Sequence, residues 1–100
     1  MALQLQDRAA AREFLHQGAS VHYWDYSPAQ TDLPHPTVVM LHGFRGDHHG
    51  LLKIVELLPQ ARVIVPDLPG FGESAPLAAG GHNVPGYVHC VEAMMEALQL

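Results

Sequence analysis

Three consecutive residues, His42, Gly43 and Phe44, follow an apolar run at residues 38–41 and could do chemistry through the backbone. The apolar run predicts a short strand, and the glycine lets the chain turn sharply and come close to a ligand. A helix is expected to begin a few residues later. The N–H of Phe44 would then lie just ahead of a helix N-terminus, where the helix dipole favours negative charge. The pattern therefore indicates a backbone site that could stabilise an anion.

A second apolar run at residues 63–65 also ends in a glycine-bearing loop, at residues 66–72. Between the two runs, apolar residues at 51, 52, 54, 55, 57 and 58 predict a helix that is buried on one broad side. Strand, loop, helix and strand make a βαβ unit, so the two strands should be parallel. Both loops should then lie at the carboxyl ends of the strands, where open α/β sheets bind their ligands.

Residues 38–74 resemble the α/β-hydrolase family. The resemblance is carried by His42, Gly43 and Phe44, together with the run Pro-Asp-Leu-Pro-Gly-Phe-Gly-Glu-Ser at residues 66–74. It implies that the Phe44 N–H is one donor of an oxyanion hole, and that His42 and Gly43 shape the oxyanion loop. It further implies hydrolysis of a small organic ester or related bond through a serine acyl-enzyme, with a small-molecule substrate and no cofactor. Which substrate this is remains open.

The remaining segments complete a partial α/β-hydrolase sheet. Residues 7–17 are rich in alanine and predict an N-terminal helix that Gly18 ends. Residues 20–26 alternate and are rich in aromatic residues, which predicts an early antiparallel strand. Residues 27–36 predict a loop, and residues 84–99 predict a last helix after the βαβ unit, with an apolar stripe at 88, 91, 94, 95 and 98. The expected fold class is α/β, and residues 1–100 are expected to be the incomplete N-terminal part of one domain.

The catalytic nucleophile is not expected within the 100 residues. The family carries it in G-x-S-x-G after the next strand, which would begin beyond Leu100. The chain alone is therefore predicted to be inactive. An alternative is a non-catalytic, truncated hydrolase that acts as an interaction module. In either case the strand that begins at Val38 would lack a partner on one side, and we expect self-association through this exposed edge.

Composition excludes several other classes. Hydrophobic residues make up 48% of the chain, which does not fit a disordered protein. The net charge of −5 and a single lysine leave no basic surface for nucleic acid or an anionic membrane. One cysteine rules out an internal disulfide and fits a reducing cytoplasm. The N-terminus lacks the pattern of a signal peptide, and no apolar run is long enough for a membrane helix.

Other residues that could be read as catalytic receive different interpretations. His42 precedes the position expected for the triad histidine, so we expect it to hold its loop by hydrogen bonding. Asp67 is expected to tie down the second loop by accepting backbone N–H groups. Ser74 follows Gly72-Glu73 but lacks the second glycine of the nucleophile motif, so we do not expect it to be a nucleophile. Cys90 is expected to be a small core residue.

A cluster of potential metal ligands follows the first loop. It comprises His42, Asp47, His48 and His49, but adjacent histidines on a helix diverge and no close Cys or Glu completes the set. We predict no metal, and we interpret residues 47–49 as a solvated helix start. Arg45 stands where many epoxide hydrolases and dehalogenases of the family carry proline, which favours ester, thioester or C–C hydrolysis.

Overall fold

A computed structural model describes residues 4–29, 34–43 and 46–100. Its elements, in chain order, are α1 (Leu5–Arg8), β1 (Ala9–His16), β2 (Ala19–Tyr26), β3 (Thr37–Val39), a 3₁₀ helix (His48–Leu51) continued by α2 (Leu52–Glu56), β4 (Arg62–Pro66) and α3 (Val84–Ala97). The four strands form one mixed sheet in the order β1-β2-β4-β3. The part of the predicted 27–36 loop at 30–33 lies outside the described residues.

The N-terminal segment differs most from expectation. Within residues 4–18, only Leu5–Arg8 is helical, and the prediction of a helix over 7–17 is wrong because residues 9–16 form β1. β1 pairs antiparallel with β2 along its whole length. Gln17 (φ 51) and Gly18 (φ 80) make the two-residue turn, and positive φ at both positions suits the right-handed twist of a hairpin. Pairing along eight residues thus overrides the weak helix preference of the alanines.

The βαβ prediction is confirmed. β3 and β4 are parallel, with Val38 opposite Val63 and Val39 opposite Ile64, and the segment that holds α2 joins them. β2 pairs antiparallel with the other side of β4, as expected of an early antiparallel strand. Because β3 and β4 run the same way, the loops that follow them emerge at the same edge of the sheet.

Both helices of the C-terminal two-thirds are less buried than their sequence patterns predict. In the 48–56 segment Val55 is fully buried, whereas Ile54 and Leu57 are 47% and 78% exposed. In α3 the inward-facing residues are Cys90 and Met94, while Val88 of the predicted stripe is 46% exposed. Asn83 caps α3 by accepting the N–H of Gly86 at 2.9 Å. Part of the apolar side of α3 is therefore exposed to solvent.

The core lies on both faces of β4, as its continuous apolar pattern predicts. Val63 and Val65 pack on one face with Tyr26, Val55 and Ala61. Ile64 packs on the other face with Tyr23 and Met94. Within the described residues, no helix is long and apolar enough to cross a membrane.

Arg8 carries a buried charge that the sequence pattern does not predict. It is 3% exposed, and its guanidinium donates to the carbonyl oxygens of Ser27 (2.6 Å), Leu58 (3.1 Å) and Ala61 (3.2 Å). Burial lowers the pKa of Arg8 from its usual value. Three carbonyl acceptors satisfy a cation that would be costly to bury alone, and they tie α1 to the chain around β4.

We propose that the isolated chain self-associates through the β3 side of the sheet. Among described residues β3 pairs with β4 only, and Leu41 beside it is 48% exposed. Leu41, Val84, Val88 and Val91 line an apolar cleft of about 240 Å³ between this edge and α3. Sedimentation velocity at micromolar concentration should show dimers or larger species.

Leu41→Lys should reduce this association, whereas Leu15→Lys, a matched change at the β1 edge where Leu15 is 76% exposed, should not. A compact monomer alone would contradict the proposal, and so would equal effects of the two substitutions.

The thiol of Cys90 should be inert in the folded chain. Cys90 is 1% exposed, and burial raises the pKa of its thiol from 9.0 to about 11. Because the folded chain favours the neutral thiol, this group makes its whole contribution to the free energy of unfolding below pH 9.0. That contribution is lost as the pH rises towards about 11. Labelling by a disulfide reagent at neutral pH should follow the denaturant unfolding curve. Since this is the chain's one cysteine, fast labelling of folded protein would contradict the burial of Cys90 in α3.

Candidate functional site

His42 joins the loops that follow β3 and β4. Its Nε2 accepts the backbone N–H of Leu68 at 3.0 Å, and its Nδ1 lies 2.8 Å from the carbonyl oxygen of Gly43. An N–H can only donate and a carbonyl can only accept, so this geometry requires a neutral ring with its proton on Nδ1. The residue is 8% exposed. The imidazole is therefore a fixed link between the two loops.

Phe44 and Arg45 lie outside the described residues, so the oxyanion role of the Phe44 N–H stays a prediction. The residues on either side are described. The N–H of Gly46 donates to the carbonyl oxygen of Gly43 at 2.9 Å. This carbonyl oxygen thus accepts from both His42 and Gly46.

Gly43 does not have the backbone conformation that was expected to require glycine at this position. Its φ is outside the left-handed region, and a Cβ at this position would meet no atom within 4 Å. The backbone of the described structure therefore gives no reason for glycine at this position.

The carboxylate of Asp67 organises the second loop. It is 0% exposed, and it accepts the N–H of His48 at 2.7 Å, the Nδ1–H of His48 at 2.9 Å and the N–H of Glu73 at 2.9 Å. The expectation that Asp67 ties the loop through backbone N–H groups is confirmed. Sequence reasoning missed His48, which is 5% exposed rather than part of a solvated helix start.

Gly72 is the glycine that this arrangement requires. Its φ is +53°, and a Cβ there would overlap the carboxylate of Asp67. Any larger residue would meet both a strained backbone conformation and a steric conflict with a buried charge. The loop between Asp67 and Glu73 can therefore fold back onto the carboxylate only with glycine at this position.

Ser74 is part of the framework. Its hydroxyl donates to the carbonyl oxygen of Asp67 at 2.5 Å and accepts the N–H of His22 at 2.8 Å. The residue is 6% exposed, and Asp67 also donates its N–H to the carbonyl oxygen of His22 at 2.9 Å. A hydroxyl engaged with two backbone groups in the interior has no free approach to a substrate, in agreement with the interpretation that Ser74 is not a nucleophile.

An apolar cleft of about 220 Å³ opens beside the first loop. Its walls are His42, Gly43, Leu68, Phe71, Val84 and Tyr87. The ring of Phe71 meets that of His42 edge-on at a centroid distance of 5.2 Å and lies 6.1 Å from that of Tyr87. Such a cleft can hold the apolar part of a small molecule next to the predicted oxyanion loop.

Two groups of potential metal ligands occur among described residues. Asp47, His48 and His49 form one, and His48, Asp67 and Glu73 the other, with ligand atoms within 4.8 Å of one another in each group. His42, from the cluster considered in the sequence, belongs to neither. The carboxylate of Asp47 already accepts the N–H of His49 at 2.9 Å, and Nδ1 of His48 is bonded to Asp67. These bonds use Oδ1 of Asp47 and Nδ1 of His48, and the absence of a metal at this position stays a prediction.

The protein has a mixed α/β sheet, and its candidate site lies at the carboxyl ends of the parallel strands β3 and β4. A model of the family described as alpha/beta hydrolase fold matches residues 36–100, which is more than half of the chain. The chain is also 34% identical over 83 residues to a haloalkane dehalogenase from Psychrobacter cryohalolentis, an alignment that covers 80% of this chain and 26% of that protein. The chain belongs to the α/β-hydrolase family.

Solved structures show the same fold. A putative lipase from Acinetobacter baumannii superposes with a TM-score of 0.76 at 19% identity, covering 99% of this chain and 35% of that one. The haloalkane dehalogenase DatA from Agrobacterium tumefaciens gives 0.75 at 24% identity, covering 94% and 30%. The chain thus spans about a quarter of the length of the curated relative and about a third of these structures.

Alanine at the two loop glycines should separate their roles. Gly72→Ala should lower the free energy of unfolding by about 2–4 kcal/mol, since left-handed strain of ~1–2 kcal/mol adds to overpacking against Asp67. Gly43→Ala should change it by less than about 0.5 kcal/mol, as surface substitutions usually do. Urea unfolding of the two variants measures the difference. Similar losses for both would show that the loop is not organised around Asp67.

Proposed function

We propose that this chain contributes the first part of a serine hydrolase that acts on a small organic ester or related bond. The observation that carries the proposal is the His42 link, which holds His42 and Gly43 at the wall of an apolar cleft, directly before Phe44 in the sequence. The Phe44 N–H would stabilise the negative charge that develops on the substrate's carbonyl oxygen. The cleft would hold the apolar part of the substrate.

The reaction follows the acyl-enzyme route. A serine oxygen bonds to the carbonyl carbon and gives its proton to a base, and the carbonyl π electrons move onto the oxygen as an oxyanion. Collapse expels the alcohol, which takes the proton back, and water then releases the acid by the same steps. Residues 1–100 would supply one oxyanion donor and part of the pocket. The serine, base and acid would come from elsewhere in a complete enzyme.

A second candidate is hydrolytic removal of halide from a haloalkane. The 34% identity to the Psychrobacter haloalkane dehalogenase favours it. Arg45 instead favours ester hydrolysis, because it stands where many dehalogenases and epoxide hydrolases of the family carry proline. The two candidates share the fold and the loops, and they differ in the bond that is broken and in the group that attacks it.

A covalent probe distinguishes these candidates. The protein expressed from its natural gene should be treated with a fluorophosphonate, which labels an activated serine, and assayed for ester hydrolysis and for halide release. We expect one labelled serine outside residues 1–100 and hydrolysis of an activated aryl ester. Halide release without labelling would replace our proposal with the dehalogenase. Neither activity in folded protein would favour a non-catalytic interaction module.

The 100-residue chain alone should not hydrolyse esters. A lone oxyanion donor stabilises a charge that no nucleophile creates, and residual catalysis without the triad needs a formed oxyanion hole and bound substrate. Its rate on an activated aryl ester should match that of free imidazole at the same histidine concentration. Ser74→Ala should leave this rate unchanged. Saturable turnover that Ser74→Ala abolishes would show that Ser74 is a nucleophile after all.

A further inference from the structure

His48 occupies an unusual position between two partners from different parts of the sheet. Its ring stacks on Trp24 of β2, with centroids 3.4 Å apart and planes 18° from parallel. Its Nδ1 lies 2.9 and 3.0 Å from the two carboxylate oxygens of Asp67. The imidazole therefore connects the middle of the sheet to the loop that follows β4.

A continuous path of bonded groups runs from His48 to the candidate oxyanion loop. Asp67, held by His48, is followed directly by Leu68, whose N–H donates to Nε2 of His42 at 3.0 Å. The Nδ1–H of His42 then donates to the carbonyl oxygen of Gly43 at 2.8 Å. Each member of this path is buried or backbone, so a displacement of Asp67 would be transmitted to Leu68 and then to His42.

The side chain of His48 has no substitute in this path. Among the described residues, the other groups that donate to the Asp67 carboxylate are the backbone N–H groups of His48 and Glu73. A buried carboxylate that loses its one side-chain donor keeps these two backbone donors but is less well satisfied, which favours its movement towards other donors or towards water. Because Leu68 follows Asp67 directly, such a movement would strain the bond from the Leu68 N–H to His42.

We propose that His48 is a positioning residue for the oxyanion loop, acting through its Nδ1–H on Asp67. This inference rests on the proposed function for its catalytic meaning, but its structural part does not depend on which bond the enzyme breaks. The Trp24 stack orients the ring, and the hydrogen bond holds the loop. The two contributions are separable because one needs an aromatic ring and the other needs a donor.

Two substitutions separate ring from donor. His48→Phe keeps an aromatic ring for Trp24 but removes the donor, whereas His48→Asn gives up the ring but keeps an amide N–H that can reach Asp67. In the 100-residue chain, His48→Phe should speed hydrogen exchange of the Leu68 amide by roughly 10- to 100-fold, the range for losing a bond to a charged group. His48→Asn should keep it within about threefold of wild type.

Controls distinguish positioning from general destabilisation. The Ile64 amide, in the buried centre of β4, reports global opening and should change far less than the Leu68 amide in His48→Phe. His49→Phe alters the neighbouring ring, whose centroid lies 4.0 Å from that of His48. Nδ1 of His49 lies 3.3 Å from Oδ1 of Asp47, so this change should leave the Leu68 amide unchanged. Equal acceleration of all amides, or no rescue by His48→Asn, would overturn the proposal.

The natural enzyme gives a second and independent readout. There, His48→Phe should lower kcat for the hydrolysed substrate about tenfold or more with KM nearly unchanged, and His48→Asn should restore it, since only transition-state stabilisation is lost. If the Leu68 amide responds as expected and no ester is hydrolysed, the proposed function fails while the positioning role stands. If the amide does not respond, the positioning role fails whatever the enzyme's activity.

Discussion

A neutral imidazole held between two backbone groups is the interaction on which the candidate site depends. His42 accepts from Leu68 and donates to Gly43, so one ring joins two loops that are separated by a helix and a strand in the sequence. The bond from Leu68 needs a bare Nε2, and the bond to Gly43 needs a protonated Nδ1. The shape of the first loop is therefore tied to the position of the second.

The second loop can hold its side of this link because its own charge is buried and satisfied. Burying the Asp67 carboxylate would be costly without donors, and the chain supplies them from His48 and Glu73. The return of the chain to Glu73 is what demands glycine at 72. Ser74 then fastens the end of the loop to β2 through His22. The carboxylate, the glycine and the serine thus act together as a support for the first loop.

Short-range patterns predicted the parts of the structure that depend on periodicity. The parallel pair of β3 and β4, and burial of β4 on both faces, followed from two continuous apolar runs around an amphipathic segment. Residues 9–16 could not be predicted in this way, because an alanine-rich run favours a helix in isolation and becomes a strand only through pairing with β2. The sequence likewise does not reveal the need for glycine at 72, since the partner that excludes a side chain, Asp67, approaches only in the folded chain.

His48 shows most clearly what a sequence alone does not reveal. Next to Asp47 and His49 it has the pattern of a solvated helix start, and neither Trp24 nor Asp67 lies near it in the chain. Its burial arises because β2 and the loop after β4 flank the start of the 48–56 segment. Long-range contacts of this kind determine which histidines are buried and hydrogen-bonded at the candidate site, and here they select His42 and His48.

The tautomer of His42 tests this account most directly. Long-range ¹H–¹⁵N NMR of the folded chain reports the protonation of each ring nitrogen. From the two hydrogen bonds of the ring we predict a protonated Nδ1 and an unprotonated Nε2, with the Leu68 amide shifted as expected for a hydrogen-bonded donor. A ring protonated on Nε2, or on both nitrogens, would contradict it, because Leu68 could then not donate to His42 and the two loops would not form one unit.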